Sequence, residues 1–168
     1  MSTHETIRVL IADDHPVVRE GLTALINRQP DMKVVAEAGD GSEAVEQFSK
    51  CLPDVALIDL RMRGMDGLHA ILAICRRFPA ARLVVLTTFD NSEDVFRALL
   101  GGAKGYVLKG APRKELLECI RTVRAGEPHI APAMAAKLAA RLSRLESTGK
   151  PVSESPLPAP CRIMKPVD

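Results

Sequence analysis

Four largely apolar runs in this chain each end directly before a residue with a charged or hydroxyl side chain. The runs and the residues that follow them are Ile7–Ala12 before Asp13-Asp14, Val55–Ile58 before Asp59, Leu83–Leu86 before Thr87, and Gly105–Leu108 before Lys109. Continuous apolar runs of this length are typical of strands buried on both faces of a parallel sheet. The carboxyl ends of parallel strands share one edge, where open α/β folds bind ligands. The sequence therefore predicts an α/β fold with three carboxylates, a hydroxyl and an ammonium at one sheet edge.

Helical patterns alternate with the strands five times, as a doubly wound parallel sheet requires. A short second strand is predicted at Val34–Ala36, and a helix at about residues 92–101 has only a short apolar face. The other predicted helices are marked by apolar positions at helical spacing. Those positions include Val18, Leu22, Leu25 and Ile26 in the first helix, Leu68, Ile71, Leu72 and Cys75 in the third, and Leu116, Leu117, Ile120 and Val123 in the fifth.

The three carboxylates indicate a particular chemistry. Carboxylates a few ångströms apart repel one another, so one would tend to stay protonated unless a cation lies among them. Mg²⁺ prefers oxygen ligands and keeps several waters that substrate oxygens can replace. With a metal in place one carboxylate can act as a nucleophile and form an aspartyl phosphate. A lysine ammonium and a threonine hydroxyl can then meet the charge of the phosphoryl group.

Five motifs in order identify a family resemblance. They are Ile11-Ala12-Asp13-Asp14-His15-Pro16, Asp59-Leu60-Arg61-Met62, Gly64-Met65-Asp66-Gly67, Leu86-Thr87-Thr88 and Gly102-Ala103-Lys104-Gly105-Tyr106-Val107-Leu108-Lys109. Over about residues 7–126 the chain resembles the receiver domain of two-component response regulators, in the LuxR/FixJ-type subfamily. The resemblance implies a flavodoxin-like, five-stranded parallel sheet in the order 2-1-3-4-5. It also implies a sensor histidine kinase as partner, and no enzymatic activity beyond self-phosphorylation and slow self-dephosphorylation.

The resemblance also implies roles for individual residues. Asp59 would accept the phosphoryl group, and Asp13, Asp14, Asp59 and the backbone carbonyl of Arg61 would hold Mg²⁺, Asp14 more directly than Asp13. Acetyl phosphate is expected to replace the kinase as a donor.

Three residues would respond to the phosphoryl group by the same resemblance. Thr87 and Lys109 would contact it, and Tyr106 would change rotamer together with Thr87. Thr88 is a second candidate for the hydroxyl, but successive strand side chains point to opposite faces and the motif favours Thr87. The face around the fourth helix and fifth strand would then change its protein contacts, including self-association as a homodimer.

Each of these residues has a structural alternative. Asp13 and Asp59 could cap a helix or a turn, since aspartate is common in both positions. Lys109 on its own could be a solvated lysine at a strand end, and Tyr106 a half-buried sheet residue. His15 is more often a loop histidine than a metal ligand. Capping does not explain two consecutive aspartates together with a third at another strand end.

The chain departs from the family pattern after Asp59. Relatives usually have proline where this chain has Arg63, so the loop is expected to be looser and carries an extra positive charge. Arg61 and Phe89 occupy positions that tune acyl-phosphate hydrolysis in the family. Their bulk could hinder the attacking water, which predicts a longer-lived phosphoryl group.

Composition is ordinary for a globular protein. Of 168 residues, 46 % are hydrophobic and 26 % charged. The four cysteines are scattered without metal-binding spacing, and neither a signal peptide nor a membrane-spanning run is evident. We therefore expect a cytoplasmic protein with reduced thiols and no membrane contact.

The C-terminal part sets an expectation for output. We divide the chain into a receiver at residues 1–126, a linker with an amphipathic helix at 127–146, and a Pro/Ser-rich tail without fold at 147–168. The helix should open at Pro132 and present Met134, Leu138, Leu142 and Leu145. The tail has no helical periodicity and residues 132–168 carry a net charge of only +3, so neither a helix-turn-helix nor direct DNA binding is expected.

Other functions remain open from the sequence. A phosphorylation-independent adaptor would keep the fold alone, and the chain could be the receiver portion of a shortened transcriptional regulator. A phosphatase of the haloacid dehalogenase type would normally need an aspartate at position 61, where this chain has arginine. A flavodoxin would need aromatic residues to stack on the flavin, whereas the chain has one Tyr and no Trp.

Overall fold

The computed structural model describes residues 5–88 and 92–147 and contains one five-stranded parallel sheet in the order β2-β1-β3-β4-β5. The strands are β1 (Ile7–Ala12), β2 (Met32–Ala38), β3 (Val55–Asp59), β4 (Leu83–Thr87) and β5 (Gly105–Leu108). The helices are α1 (Pro16–Asn27), α2 (Gly41–Cys51), α3 (Gly67–Arg77), α4 (Ser92–Leu100), α5 (Arg113–Arg124) and α6 (Pro132–Ser147). The predicted α/β class, the parallel sheet and its strand order are confirmed.

The sheet is covered by helices on both faces. Alternate residues of each central strand pack into two separate apolar cores, because successive strand side chains point to opposite faces. In β4, Leu83 and Val85 belong to the core beneath α2, α3 and α4, while Val84 and Leu86 belong to the core beneath α1 and α5. Every residue of β3 and β4 is buried. This explains why these strands read as unbroken apolar runs in the sequence.

The second strand is longer than predicted. The structure extends β2 over Met32–Ala38, whereas the apolar run predicted only Val34–Ala36. β2 lies at an edge of the sheet, and its Lys33 and Glu37 are exposed. Edge strands have one partner and tolerate charged residues, so the apolar pattern underestimates their length.

Aspartate caps set the beginning of two helices. The carboxylate of Asp40 accepts a hydrogen bond from the backbone N–H of Glu43 at 2.8 Å, and α2 follows. Asp66 accepts one from the backbone N–H of His69 at 2.9 Å, and α3 follows. Such caps satisfy backbone donors that have no partner within the helix. The second cap also fixes the end of the loop that follows Asp59.

The segment after α5 returns along the free edge of the sheet. His129 forms a parallel bridge with Gly105 of β5, and its backbone carbonyl accepts a hydrogen bond from the N–H of Tyr106 at 3.1 Å. The sixth helix then begins at Pro132, as predicted. Of its apolar stripe, Met134 is buried, Leu138 is half-buried and Leu142 is exposed. The remaining stripe position, the side chain of residue 145, and the tail at 148–168 lie outside what the structure describes.

None of the helices within residues 5–88 and 92–147 is both long enough and apolar enough to cross a bilayer.

Candidate metal centre

The acidic residues predicted at the strand ends lie together. Asp13 follows β1 directly, and Asp59 is the last residue of the neighbouring strand β3. Ala12 pairs with Ile58 in the register of these strands, so the two aspartates occupy adjacent positions at the carboxyl edge. The exposed fraction is 0 % for Asp13 and 2 % for Asp59. Two buried carboxylates side by side can both be ionised only if a positive charge lies between them.

Lys109 supplies that charge in this structure. Its Nζ lies 2.7 Å from Asp13 Oδ2 and 3.0 Å from Asp59 Oδ2. The backbone N–H of Lys109 donates to the carbonyl of Thr87 at 2.8 Å, which continues the pairing of β4 with β5 by one residue. The strand ends thus bring together residues that are 50 positions apart in the chain. The alternative of a solvated strand-end lysine does not fit a side chain that is largely buried.

The second oxygen of each buried carboxylate accepts a hydrogen bond from a nearby backbone N–H. Asp13 Oδ1 accepts from the backbone N–H of His15 at 2.8 Å, and Asp59 Oδ1 accepts from the backbone N–H of Arg61 at 3.2 Å. These are the turn contacts that the capping alternative anticipated. They do not replace the contacts with Lys109, because the other oxygen of each carboxylate makes those. The N-cap residue of α1 is His15, and its side chain forms no cap hydrogen bond.

The three central groups have shifted pKa values. Burial raises the pKa of Asp59, and the nearby charge of Asp13 raises it further, in competition with the lowering effect of Lys109. For Asp13 burial also acts upward, but the hydrogen bonds from Lys109 and from the N–H of His15 outweigh it, and its pKa is lowered. Burial acts to lower the pKa of Lys109, but its bonds to the two carboxylates leave that pKa raised. The buried cluster therefore favours a protonated Lys109 between the carboxylates.

Asp14 is the third carboxylate and lies closer to solvent. Its Oδ1 lies 3.1 Å from His15 Nδ1, and that nitrogen also lies 3.1 Å from Asp13 Oδ1. Its Oδ2 accepts from the backbone N–H of Arg63 at 3.2 Å, with the guanidinium Nε of Arg63 at 3.8 Å. Arg63, which occupies the position where relatives usually have proline, therefore contacts Asp14. This connects the loop after β3 with the acidic pair after β1.

The donor set suits a hard divalent cation. Ligand atoms of Asp13, Asp14, His15 and Asp59 all lie within 4.8 Å of one another. Asp14 Oδ1 is buried, and although His15 Nδ1 lies 3.1 Å away, that nitrogen is hydrogen-bonded to Asp13 Oδ1, and no residue that the structure describes forms a hydrogen bond with Asp14 Oδ1. Buried carboxylate oxygens are costly without a partner, and a bound cation would provide one. Asp13, Asp14 and Asp59 therefore form an acidic pocket that could bind a metal.

Thr87 and Tyr106 lie on the same face of the sheet. Thr87 is the last residue of β4 and is buried, and Thr88 is exposed. The alternation of β4 places Thr87 on the same face as Val85, which belongs to the core that also contains Tyr106. In the register of β4 and β5, Val85 pairs with Tyr106 and Thr87 pairs with Leu108. Tyr106 therefore lies two residues before Leu108, the residue directly opposite Thr87. Tyr106 is 7 % exposed, more buried than the half-buried side chain of the structural alternative.

Gly67 brings the loop after β3 close to Asp59. A Cβ on Gly67 would lie 1.9 Å from the carbonyl oxygen of Asp59, so only glycine fits there. The backbone N–H of Gly67 donates to the carbonyl of Leu60 at 3.0 Å. The loop therefore closes on itself and returns α3 to the site. Arg61 lies in this loop with an exposed side chain; its carbonyl as a metal ligand stays a prediction, and Phe89 lies outside the described residues.

Comparison with known proteins decides the family. The sequence profile of the response regulator receiver domain matches residues 9–121. The chain belongs to the response regulator receiver family. Receiver domains are signalling modules of two-component systems, so the predicted family is confirmed.

Relatives of this receiver domain include a transcriptional regulatory protein and an oxygen regulatory protein. The transcriptional regulatory protein LiaR of Bacillus subtilis is 42 % identical over 144 residues, covering 86 % of this chain and 67 % of LiaR. The oxygen regulatory protein NreC of Staphylococcus aureus is 47 % identical over 125 residues, covering 74 % of this chain and 58 % of NreC. The chain thus matches only about three fifths to two thirds of the length of these relatives.

A solved structure supports the same assignment. The LuxR-family response regulator from Aurantimonas sp. SI85-9A1 superposes with a TM-score of 0.75 at 36 % identity, covering 83 % of this receiver chain and 99 % of that one. The predicted LuxR-type neighbourhood of the receiver domain is therefore confirmed.

Sequence reasoning missed two neighbours of Asp14 in the receiver domain. His15 lies in the loop between β1 and α1, as the sequence leads us to expect, and its ring nitrogen lies beside both aspartates of the pair. The sequence predicts Arg63 as an extra positive charge beside the site but not its contact with Asp14, which lies 49 positions away in the chain. The position of His15 next to the pair was a signal, but the direction of its ring depends on the turn into α1. No local pattern indicated the contact of Arg63.

Proposed function

We propose that this receiver domain accepts a phosphoryl group on Asp59 from a sensor histidine kinase, with Mg²⁺ held by the acidic pocket. The observation that carries the proposal is the buried carboxylate of Asp59, with Oδ2 3.0 Å from Lys109 Nζ and with Asp13 and Asp14 beside it. The family match supports it, since two-component receivers interact with histidine kinases.

The proposed step is a transfer between two nucleophiles. A carboxylate oxygen of Asp59 attacks the phosphorus of a phosphohistidine, the new P–O bond forms, and the P–N bond breaks. The leaving imidazole keeps the electron pair of the P–N bond and takes a proton from solvent. Acetyl phosphate would serve as a donor in the same way, with acetate as the leaving group. The product is an aspartyl phosphate on Asp59.

The residues around Asp59 would meet the charge of the transferring group. The ammonium of Lys109 already lies at the carboxylate and would pair with a phosphoryl oxygen. Asp13, Asp14, Asp59 and the carbonyl of Arg61 would hold Mg²⁺, which supplies charge neutralisation for the phosphoryl oxygens. The unsatisfied Oδ1 of Asp14 supports this assignment.

The proposed response runs through Thr87 and Tyr106. The hydroxyl of Thr87 would donate to a phosphoryl oxygen, and a small inward movement would open space for the ring of Tyr106. Their positions on one face of the sheet, beneath the core that α4 covers, support this coupling. The surface around α4 and β5 would change its protein contacts as a result. Homodimer formation and cytoplasmic location stay predictions, as do the division at residues 126 and 146 and the lack of DNA binding.

Intact-protein mass after incubation with acetyl phosphate tests the proposal. We expect one phosphoryl adduct on the parent, dependent on Mg²⁺ and lost after chelation, and none on Asp59→Asn. Asp54→Asn is a matched control, because Asp54 lies just before the other end of the same strand and accepts from the backbone N–H of Arg8 at 2.9 Å. It should form the adduct as the parent does.

Three outcomes would contradict the proposal. An adduct on Asp59→Asn equal to that on the parent would exclude Asp59 as the acceptor. A parent without adduct under any donor would favour the phosphorylation-independent adaptor. Turnover of a simple phosphate ester beyond one equivalent per protein would instead support the phosphatase alternative.

A further inference from the structure

The carboxylate of Asp14 needs support from the backbone that carries it. Its Oδ1 is buried and forms no hydrogen bond with a described residue, and its Oδ2 accepts one of 3.2 Å from the backbone N–H of Arg63 in the loop after β3. The direction of this side chain therefore depends on the peptide group between Asp13 and Asp14. A peptide group is planar and moves as one unit, so a contact with its carbonyl also orients the residue that follows.

That peptide group is held by an arginine of α1. The guanidinium Nη1 of Arg19 donates a hydrogen bond to the backbone carbonyl of Asp13. On the preceding side, the backbone N–H of Asp13 donates to the carbonyl of Ala38, the last residue of β2, at 3.0 Å. Bonds to both backbone groups of Asp13 fix the peptide that leads to Asp14.

Arg19 is itself held by the edge strand β2. Its Nε donates to Oε1 of Glu37 at 3.1 Å, and the other oxygen of Glu37 accepts from the hydroxyl of Thr23, one turn further along α1, at 3.3 Å. The side chain of Arg19 is 24 % exposed. A planar guanidinium can bind a carboxylate and a carbonyl at the same time, which the single ammonium of lysine cannot do with the same geometry.

The beginning of α1 has few other attachments to the sheet. The N-cap residue His15 forms no side-chain cap bond, and the buried residue of α1 is Ile26, in its last turn. Val17, in the first turn, is 80 % exposed. The end of α1 next to the acidic pair is therefore held less by burial than by polar contacts such as those of Arg19.

We propose that Arg19 is a positioning residue for the divalent cation, because it holds Asp14 in the orientation that the metal requires. The inference rests on the proposed function only for the presence of a cation in the acidic pocket. Arg19 is not a ligand itself, since a guanidinium has no acceptor atom. Mg²⁺ requires near-ideal octahedral geometry, whereas Ca²⁺ accepts flexible arrangements of oxygen ligands. By keeping Asp14 in one place, Arg19 favours the binding of Mg²⁺ over that of Ca²⁺.

Charge and position predict opposite effects for the removal of Arg19. A positive charge beside the pocket repels divalent cations, so its loss alone would tighten the binding of Mg²⁺ and Ca²⁺ alike. Loss of a group that orients a ligand instead weakens metal binding, typically by about 10- to 100-fold. Arg19→Gln should therefore weaken Mg²⁺ binding by about tenfold, the low end of that range because a repulsion is lost at the same time. Ca²⁺ binding should weaken by about threefold or less, since its ligands can shift.

Isothermal titration calorimetry of the full chain with MgCl₂ and with CaCl₂ measures both affinities, and urea denaturation without divalent cation shows whether each variant is folded. Arg19→Lys keeps the positive charge without the forked guanidinium, so it should lose nearly as much Mg²⁺ affinity as Arg19→Gln. Glu37→Gln keeps the bond of Arg19 to Asp13 but removes its outer partner. It should weaken Mg²⁺ binding by about threefold, with a smaller effect on Ca²⁺, and it decides the question if Arg19→Gln does not fold.

Arg121→Gln is the matched control for the loss of an arginine. Arg121 donates to the carboxylate of Asp31 at 2.8 and 2.9 Å, and Asp31 directly precedes β2, at the opposite end of that strand from the acidic pair. This variant removes the same charge and a similar ion pair away from the site. It should leave the affinities for both cations unchanged.

The ratio of the two affinities decides between the explanations. Unchanged or tighter Mg²⁺ binding in Arg19→Gln overturns the positioning role. An equal loss of affinity for Mg²⁺ and Ca²⁺ also overturns it, because general damage to the pocket would affect both ions. In these cases a parent that binds Mg²⁺ and forms the adduct on Asp59 leaves the proposed function intact. A parent that binds no Mg²⁺ overturns the proposed function together with this inference.

Discussion

At the scale of single residues, Lys109 holds a positive charge where two buried carboxylates would otherwise face each other. Its Nζ contacts Asp13 at 2.7 Å and Asp59 at 3.0 Å. Against the effect of burial, this contact leaves the pKa of Asp13 lowered and that of Lys109 raised, whereas burial leaves the pKa of Asp59 raised. Breaking a buried ion pair from one side costs more than the pair contributes, because an uncompensated charge remains. The site is therefore stabilised by a residue that is also proposed to act in phosphoryl transfer.

Replacement of Lys109 by methionine should reveal this double role. We expect Lys109→Met to lower the free energy of unfolding by about 3 kcal/mol without divalent cation, the low end for a buried pair because the site borders solvent. Mg²⁺ should restore part of the loss, since a bound cation supplies the missing charge. Urea denaturation with and without Mg²⁺ measures both effects.

The control for this variant is an exposed lysine. Lys50→Met removes the surface pair with Glu46 and should change stability by no more than about 0.5 kcal/mol, with no added response to Mg²⁺. Equal stability of Lys109→Met and the parent would show that the two carboxylates do not need the ammonium.

At the scale of elements, the loop from β3 to α3 determines how the site is closed. Gly67 begins α3 against the carbonyl of Asp59, and Gly41 begins α2 with its N–H donating to the carbonyl of Met65 at 2.9 Å. A Cβ on Gly41 would lie 2.3 Å from that carbonyl oxygen. The first residues of α2 and α3 therefore pack directly against the backbone of the loop. A residue larger than glycine at either position would clash with that backbone.

Two glycine substitutions should have opposite effects. Gly67→Ala would place a Cβ 1.9 Å from a backbone oxygen, so the loop must shift and the free energy of unfolding should fall by about 2 kcal/mol or more. Gly21→Ala meets no atom within 4 Å in the middle of α1 and should raise it by about 0.5–1 kcal/mol. Thermal or urea denaturation of the two variants measures this. Similar changes in both would mean that the close approach at Gly67 can be relieved.

The elements could be predicted from the sequence where one physical pattern dominates. β3 and β4 are buried on both faces, so Val55–Ile58 and Leu83–Leu86 read as unbroken apolar runs, and their polar ends predicted the acidic site. The edge strand β2 was predicted too short because its charged residues interrupt the pattern. The local sequence pattern is enough to identify a strand that is buried on both faces. The exposure of an edge strand depends instead on which strands lie next to it in the sheet.

The contacts between distant elements could not be predicted. Arg63 and Asp14 are 49 positions apart in the chain, and Arg141 and Glu93 are 48 positions apart. Each depends on the path of a loop and on a side-chain rotamer, and neither leaves a periodic signal in the sequence. The contact between Lys109 and Asp59 was anticipated only because both lie at ends of parallel strands, where topology alone brings side chains together.

At the scale of the whole molecule, packing continues beyond the stretch that matches the family. The receiver profile ends at residue 121, but His129 bonds to β5 and Met134 is buried in the core beneath α4. β5 is the outer strand of the sheet, and the segment around His129 covers part of its free edge. Covered edges reduce pairing with other chains. The predicted boundary at residue 126 therefore separates residues that are in contact.

Shortening the chain at two points should test how far the folding unit extends. A chain that ends at Gly126 loses the burial of Met134, which should lower the free energy of unfolding by about 2 kcal/mol or more. A chain that ends at Ser147 keeps every contact that the structure describes and is the matched control. Urea denaturation measures the difference, and sedimentation velocity should show self-association only of the shorter chain, through the uncovered edge of β5. Equal stability and no association would mean that residues 1–126 are a complete folding unit. In that case α6 packs on a finished domain, and its removal would expose the surface of α4 without weakening the core that holds Asp59.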